Sequence, residues 1–325
     1  MSSTAAHNLT GPEQATGGVA ASARVGMFPP FGLLERSPDT ARGFLAAAGQ
    51  AGIDHVCCGD HVSFAGVGFD GLVQATALAM LHPTLPIYTG LYLLPLRHPM
   101  LVARQLADIE RLAPGRLIFG AGVGGEDRHE ISICGVDPAT RGLRMNECLT
   151  VVRQLLTGMA VTFHGKFFDF DDAVITPAPA AAIPITIGGR SDAAIRRAGR
   201  LGDGWLGIWN SPRRFATAVE MAAAEAARIG RPDPPTRHAM QVWCGLANSK
   251  EEARACLAPT METVYRLPFE RFERYCPYGT ADDVAEFLAP YAYAGCPEFN
   301  LIPQSPDHDQ AIAGTAAVQR LLART

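Results

Sequence analysis

The sequence predicts a (β/α)8 barrel with one insertion before strand five and another after strand seven. Eight short runs of β-branched and apolar residues alternate with longer Ala-, Leu- and Arg-rich runs of helical period over about 300 residues. This alternation is typical of parallel α/β folds. No obvious reversal point interrupts it, so a doubly wound open sheet is the second choice.

The first four strands are each followed by a helix with clear boundary signals. Ser37 or Asp39 caps the first of these helices, a glycine ends it, and Pro99 opens the third. The strands are ARVGMF, IDHVCCGDH, PIYTGLYLLP and RLIFGAGVG, and the helices are SPDTARGFLAAAGQAG, FDGLVQATALAMLH, HPMLVARQLADIERLAPG and RGLRMNECLTVVRQLLTG.

The second half continues the alternation, with two interruptions. Residues 162–182 alternate aromatics and then turn Pro/Ala-rich, which predicts a hairpin and a linker, and residues 257–279 form the second insertion. Thr280 caps a helix with acidic residues in its first turn. The strands are IPITIGG, DGWLGIW, RHAMQVWCGLAN and EFNLIP, and the helices are SDAAIRRAGR, SPRRFATAVEMAAAEAARIG, SKEEARACLAP, TADDVAEFLAPYAYAG and DQAIAGTAAVQRLLA.

The composition is that of a folded globular protein, with 48% hydrophobic and 18% charged residues. A net charge of −4 without a long basic run argues against a nucleic-acid partner, and no long apolar run predicts a membrane span. The eight cysteines form no C-x-x-C pair, which favours reduced thiols in a cytoplasmic protein over a metal site. Residues 1–22 read as a disordered extension, and 23–325 as a single domain.

The active groups of a barrel lie at the carboxyl ends of its strands and in the loops that follow. Asp60 and His61 follow strand two, where an imidazole suits proton transfer and a carboxylate can orient it. The alternative is a capping aspartate beside a surface histidine. An apolar substrate pocket is predicted from aromatic residues, although core packing explains the two tryptophans equally well. These residues are Phe28, Phe31, Phe64, Trp205 and Trp209.

Strands four and five end in glycine-rich turns. The strand-four turn, GAGVGGEDRHE, is neither a dinucleotide-binding fingerprint nor a P-loop, and a mobile loop is the simpler interpretation. Strand five ends in Gly188-Gly189-Arg190-Ser191 at a helix start, where free N–H groups, a guanidinium and a hydroxyl suit a phosphate. Ser191 also reads as a plain helix cap, and Ala193 breaks the hydrolase pattern G-x-S-x-G.

Taken in order, several stretches resemble the luciferase-like monooxygenase superfamily, which includes bacterial luciferase and oxidoreductases that use coenzyme F420. They span roughly residues 85–320, and CCGDHV extends the likeness toward the N-terminus. The stretches are TGLYLLPLRHPMLVARQLADIERLAPGRLIFGAGVGGE, RGLRMNECLTVVRQLLTG, FHGKFFDF, PITIGGRSDAAIRRAGRLGDGW and GTADDVAEFLAPYAYAG.

The resemblance implies a flavin or deazaflavin at the C-terminal mouth of the barrel. The ring is expected against strand three at Gly90, Leu91 and Tyr92, with a non-proline cis peptide at Gly90–Leu91 or one residue later. The phosphate is expected on the turn around Gly189 and on the strand-four glycines. The remaining site residues carried over from the family are Asp60, His61 and Glu126 as catalytic groups, and Gly122, Gly124, Gly188, Arg190 and Ser191 at the phosphate.

The resemblance favours coenzyme F420 over FMN. Luciferase α chains carry an arginine for the phosphate where this chain has Val123, and Arg190 is the expected replacement. The predicted reaction is hydride transfer to or from a small organic substrate. An FMN-dependent monooxygenase is the first alternative and a non-redox barrel enzyme acting on a phosphorylated metabolite is the second. A homodimer is expected, and no metal.

Overall fold

The computed structural model describes residues 23–64, 69–125 and 127–324. Eight parallel strands close into a barrel surrounded by helices, which confirms the predicted fold class. The strands are β1 (Arg24–Met27), β2 (His55–Cys58), β3 (Ile87–Thr89), β4 (Tyr92–Leu93), β5 (Leu117–Gly122), β6 (Val161–His164), β7 (Asp169–Ala173), β8 (Ile185–Gly188), β9 (Gly204–Ile208), β10 (Ala239–Leu246), β11 (Tyr278–Gly279) and β12 (Glu298–Gln304).

The helices follow the strands in the alternation that the sequence predicts. Ser37 and Thr280 cap their helices as expected, and Thr280 forms a full capping box with Asp283. The helices are α1 (Leu33–Arg36), α2 (Pro38–Gln50), α3 (Gly71–Leu81), α4 (Pro99–Leu112), α5 (Arg128–Ile133), α6 (Arg141–Leu155), α7 (Asp192–Leu201), α8 (Pro212–Arg228), α9 (Lys250–Tyr265), α10 (Ala281–Tyr293) and α11 (His308–Leu322).

The barrel order is β1, β2, β3, β5, β8, β9, β10 and β12, and β12 pairs with β1 to close the ring. β4 continues β3 along β5, while β11 adds an edge beside β10. β6 and β7 form the antiparallel hairpin predicted within residues 162–182. At the seam between β9 and β10, a Cβ on Gly204 would overlap the carbonyl oxygen of Arg237, so this pairing requires glycine.

Two layers of apolar side chains hold the barrel. One large cluster packs the outer faces of the strands against the helices. A smaller interior cluster fills the barrel, and Phe28 and Leu91 pack on it. The interior cluster consists of Cys57, Tyr88, Ile118, Leu206 and Ala239. Strands with both faces covered in this way explain why their sequences are continuously apolar rather than alternating.

Three local features differ from the sequence prediction. Strand three is broken into β3 and β4, the short helix α5 precedes α6, and α9 continues through Pro259 to Tyr265. All eight cysteines are free thiols, and six of them are buried. Within the described ranges, no helix is both long and apolar enough to cross a bilayer.

Candidate active site

The third barrel strand breaks at its carboxyl end. The peptide bond between Gly90 and Leu91 is cis, in the first of the two registers that the resemblance implies. β3 ends before this bond, and β4 begins after it and pairs with β5. On one side of the break, the Gly90 amide donates to the Cys58 carbonyl at 2.7 Å. On the other, the Leu93 amide donates to the Asp60 carboxylate at 2.8 Å, so β2 anchors both sides.

Leu91 lies over two glycines of neighbouring strands. A Cβ on Gly122 would come within 2.9 Å of Leu91 Cδ1, and one on Gly188 would overlap the same side chain. The missing side chains at Gly122 and Gly188 therefore accommodate Leu91, and the two glycines shape the wall of the mouth through it. Direct contact of these glycines with a ligand stays a prediction.

Asp60 does not orient His61 as expected. Its carboxylate, which is 4% exposed, binds both terminal nitrogens of Arg97 at 2.6 and 2.8 Å and accepts from the Gly71 amide. Burial raises the pKa of Asp60, while the guanidinium and the backbone donors oppose that shift. Arg97 in turn lies 4.4 Å from the centre of the Tyr92 ring. The side chains of Asp60 and Tyr92 are thus both buried beneath the wall, and the expectation that Asp60 orients His61 is wrong. Contact of Tyr92 with a cofactor stays a prediction.

His61 is positioned by Glu130. One imidazole nitrogen, Nδ1, lies 3.1 Å from the Glu130 carboxylate, and the Phe64 ring stacks on the imidazole with centroids 4.3 Å apart. Glu130 is buried and also accepts from the amides of Val62 and Ser63 at 2.7 and 3.1 Å. One carboxylate therefore orders the loop after β2 and fixes the ring of His61, whose side chain stays 39% exposed.

Glu130 was not predicted from the sequence, because the family resemblance pointed to Glu126 as the acidic residue of the site. The predicted catalytic residue Glu126 lies outside the described residues. Asp127 caps α5, and this short helix carries Glu130 back toward the loop after β2. The start of α5 was the available signal, because a capping Asp with a Glu three residues later is a helix-start pattern. Gly124 has a φ of 89°, and its contact with a ligand stays a prediction.

The turn between β8 and α7 is where the sequence predicts a phosphate. Gly189 has a φ of 135°, which a side chain would strain, and Ser191 caps α7 by accepting from the Ala194 amide at 3.3 Å. The cap interpretation of Ser191 is therefore correct, and it leaves other first-turn N–H groups directed outward. The exposed guanidinium of Arg190 lies 5.4 Å from the centre of the Trp209 ring. Phosphate binding here stays a prediction.

Trp205 supports this turn and does not line a substrate pocket. The indole is fully buried, packs on Phe215 with ring centroids 5.4 Å apart, and donates from Nε1 to the Gly189 carbonyl at 2.8 Å. Because neighbouring residues of a strand point to opposite faces, the interior position belongs to Leu206, and Trp205 faces the helices. The pocket prediction is wrong for Trp205, and the core interpretation is correct.

Aromatic side chains build one side of the mouth. Trp209 follows β9 in a left-handed conformation with a φ of 52° and packs on Tyr265 and Phe272, with ring centroids 5.0 and 4.9 Å apart. Phe28 and Phe31 follow β1, and Phe31 lies 6.0 Å from the Trp243 ring, centroid to centroid. The insertion after β10 thus supplies aromatic residues that the sequence did not assign to the site.

The floor of the mouth is polar. The Oε1 atom of Gln241 lies 2.8 Å, and the Nδ2 atom of Asn300 3.8 Å, from the place where a Cβ on Gly90 would stand. Both atoms are buried and, among the described residues, without a hydrogen-bond partner, as is Nε1 of Trp209. The unpaired donors and acceptor close to Gly90 fit a ligand with hydrogen-bonding edges. The described ranges contain no group of three or more His, Cys, Asp or Glu side chains that could hold a metal ion.

The sequence is similar to several curated proteins. It is 37% identical over 150 residues to an uncharacterized protein of Mycobacterium tuberculosis, which covers 46% of this chain and 51%, or about half, of that protein. It is 28% identical over 259 residues to F420-dependent glucose-6-phosphate dehydrogenase of Nakamurella multipartita, covering 70% of this chain and 74% of the relative. It is 31% identical over 178 residues to limonene 1,2-monooxygenase of Rhodococcus erythropolis, covering 51% of this chain and 44% of the relative.

Solved structures share the fold at lower identity. An F420-dependent secondary alcohol dehydrogenase in complex with an F420–acetone adduct superposes with a TM-score of 0.80 at 21% identity, covering 93% of this chain and 99% of that one. The second structure is the oxygenating constituent of 3,6-diketocamphane monooxygenase of Pseudomonas putida in complex with FMN. It superposes with a TM-score of 0.72 at 16% identity, covering 93% of this chain and 98% of that one. At these identities, the likeness establishes the barrel alone.

The family assignment follows from a match along most of the chain. The family model described as luciferase-like monooxygenase matches residues 13–275. Of the named relatives, one is an F420-dependent dehydrogenase and one is a monooxygenase. The chain belongs to the luciferase-like monooxygenase family.

Proposed function

We propose that this chain uses coenzyme F420 to exchange a hydride with a small organic substrate. The observation that carries the proposal is the placement of two features on adjacent strands at one end of the barrel. The Gly90–Leu91 wall follows β3, and His61 follows β2. A ring against the wall lies on the side of the barrel where His61 can reach a bound substrate.

The residues of the mouth fit a flavin-type cofactor. Gln241 and Asn300 offer unpaired hydrogen-bonding atoms close to Gly90, and the start of α7 suits a phosphate. When bound, such a cofactor supplies the atom that accepts or donates the hydride. Arg190 is the cation nearest in sequence to this phosphate position, which supports it as the replacement for the arginine absent at Val123.

His61 is proposed to move a proton at its Nε2 atom. Nδ1 faces the Glu130 carboxylate, so a neutral ring donates from Nδ1 and keeps the lone pair of Nε2 for the substrate. Oxidation of an alcohol requires removal of the hydroxyl proton as the hydride leaves carbon, and a base at this atom accepts it. Phe64 stacks on the imidazole and limits its rotation.

The substrate side of the mouth is proposed to be largely apolar. Trp209, Tyr265, Phe272 and Phe28 present aromatic surface around the floor. Exposed Phe31 lines a groove of about 610 Å³ between the segments that follow β1 and β12. The charged side chains of Arg36, Asp307 and Asp309 also line this groove. The aromatic surface around the floor favours a small organic molecule with few charges.

An FMN-dependent monooxygenase is the alternative. The relative that oxidises limonene and the structural neighbour that carries FMN favour it. Val123 argues against phosphate binding of the luciferase type, and the F420-dependent relative matches a larger share of this chain. The non-redox alternative loses support because the named relatives are redox enzymes. Homodimerisation stays a prediction that sedimentation equilibrium can test.

The variant His61→Ala tests the proposal. Loss of a general base lowers turnover by about a hundredfold or more, while the dissociation constant of F420 should change by less than about threefold. The control is His129→Ala on α5, because His129 is an exposed histidine close to Glu130 in sequence. Weaker cofactor binding with unchanged turnover in His61→Ala would refute the catalytic assignment.

A further inference from the structure

The polar floor of the mouth is built from two neighbouring strands. Gln241 of β10 and Asn300 of β12 are paired in register, and β10 lies across the barrel from β3. The Gln241 side chain therefore spans the interior to reach Gly90, and its Oε1 atom lies 2.8 Å from the position of a Cβ on that residue. The Asn300 amide approaches the same point at 3.8 Å from β12.

The two amides present an unused acceptor and an unused donor. Gln241 Oε1 and Asn300 Nδ2 are buried and find no hydrogen-bond partner in the described part of the chain. Asn300 is fully buried, and Gln241 is half-buried. Buried polar atoms are nearly always paired in folded proteins, so a bound group is the expected partner of this pair.

His55 fixes which way the Asn300 amide points. The Nε2 atom of His55 lies 2.6 Å from Asn300 Oδ1, and both residues are buried. Burial lowers the pKa of His55, so the neutral ring has one N–H, which Nε2 donates to the amide oxygen. The other nitrogen, Nδ1, lies 3.5 Å from Glu298 Oε1 and makes no hydrogen bond with it. The Asn300 NH2 group is thereby directed away from His55.

Gly26 makes this arrangement possible. β1 runs between β2 and β12, and Gly26 pairs in register with both His55 and Asn300. A Cβ on Gly26 would overlap the His55 ring, so only glycine lets the ring cross β1 and reach the amide. Gly26 and the buried His55 therefore both serve to orient the side-chain amide of Asn300.

We infer that Gln241 and Asn300 recognise the imide edge of a flavin-type ring, in which an N–H lies beside a carbonyl group. Asn300 donates to the carbonyl oxygen, and Gln241 accepts from the N–H. The inference rests on the proposed function, because it requires a ring at Gly90–Leu91. FMN and F420 share this edge, so the pair contributes affinity for both and does not choose between them. His55 is a positioning residue that acts through Asn300.

The test changes the ligand and the protein together. FMN and F420, each with a free N–H or with a methyl group at that imide nitrogen, are titrated into the unaltered protein and into Gln241→Met, and dissociation constants are read from fluorescence. The unaltered protein should bind each methylated ring about tenfold more weakly, the effect of one hydrogen bond. Gln241→Met should bind the ring with a free N–H about tenfold more weakly than the unaltered protein does, and it should bind the free and the methylated ring equally. Gln154→Met, on the exposed face of α6, should behave like the unaltered protein.

The outcomes separate this inference from the proposed function. If neither ring binds the unaltered protein, the proposed function fails, and the inference fails with it. If a ring binds equally well with and without the methyl group, the inference alone is wrong. The comparison of the two ligands on the unaltered protein needs no folded variant. If Gln241→Met keeps the tenfold preference for the free ring, or loses affinity only for the substrate, the two amides bind a group other than the imide edge, and the inference is wrong.

Discussion

Two buried carboxylates near His61 have different roles, and Asp60, the one adjacent in sequence, is not the partner of the imidazole. Asp60 supports the wall by binding Arg97 and the Leu93 amide, whereas Glu130 holds the imidazole and the loop. Sequence position could predict an acid and a histidine after strand two. Sequence position could not predict that the Asp60 and His61 side chains have different partners, because the direction of two adjacent side chains depends on where the strand ends and the loop begins.

Asp60→Ala should destabilise the whole protein. The change leaves the largely buried Arg97 with Asp70 as its remaining ion-pair partner and frees the amides of Gly71 and Leu93. Removing one member of a buried pair costs about 3 kcal/mol or more. The free energy of unfolding, from denaturant titration, measures the loss. The control Asp39→Ala removes a 92% exposed partner of Arg42, so its cost should be near zero. A stable Asp60→Ala protein with only a turnover defect would contradict the supporting role.

Glu130→Ala should lower turnover by about tenfold or more, because a catalytic histidine that loses its orienting partner samples unproductive positions. Glu130→Gln keeps an oxygen acceptor for the Val62 and Ser63 amides and should recover most of the loss. Hydrogen exchange at those two amides should rise in the alanine variant and stay low in the glutamine variant. Equal turnover in the three proteins would show that Glu130 has no part in positioning His61.

Among the elements, the break between β3 and β4 contributes most to the shape of the site. The sequence PIYTGLYLLP reads as one strand, since its apolar residues are continuous. Gly90 signals a special backbone position, and the family resemblance implies a cis bond in one of two registers, of which the structure has the first. The role of Leu91 above two glycines was not predictable, because it depends on three strands that meet only in the folded barrel.

Gly188→Ala tests this contact between elements. The added methyl group meets the Leu91 side chain and should lower the free energy of unfolding by about 1–3 kcal/mol. In a Leu91→Ala background the same change should cost much less, and the difference between the two costs measures the coupling. Gly43→Ala is the control, because a Cβ on that glycine of α2 contacts nothing. Identical costs in both backgrounds would contradict the packing of Leu91 on β8.

On the scale of the whole molecule, the alternation of strands and helices was sufficient to predict the barrel and the end that carries the site. The parallel βα repeat places every strand end on one face, so candidate residues far apart in sequence could be assigned to the same region. Burial was harder to predict. Trp205 and Trp209 look alike in sequence, but alternation along β9 places Trp205 in the core, and Trp209 lies beyond the strand.

The stability of the molecule should fall as the pH drops below 6.5. His238 is buried and accepts from the Trp205 amide, and burial lowers its pKa to about 4. Because the unfolded chain binds a proton near pH 6.5 and the folded chain does not, the unfolded state gains about 2 kcal/mol between pH 7 and 5.

Urea titrations at the two pH values should show this loss in the unaltered protein and a smaller loss in His238→Gln. The loss of stability begins as the pH falls through 6.5, where the unfolded chain takes up the proton, and it stops growing below about pH 4, where the folded His238 is protonated as well. An equal pH dependence in both proteins would mean that His238 is not the buried neutral group described here.

The central claim is a ring-binding mouth at Gly90–Leu91 that prefers coenzyme F420. An equilibrium titration of the purified protein with F420 and with FMN, followed by ligand fluorescence, tests it most directly. The account predicts saturable one-to-one binding of F420 with a dissociation constant below that of FMN. Binding of neither compound would contradict the account, and tighter binding of FMN would replace the hydride-transfer reaction with the monooxygenase alternative.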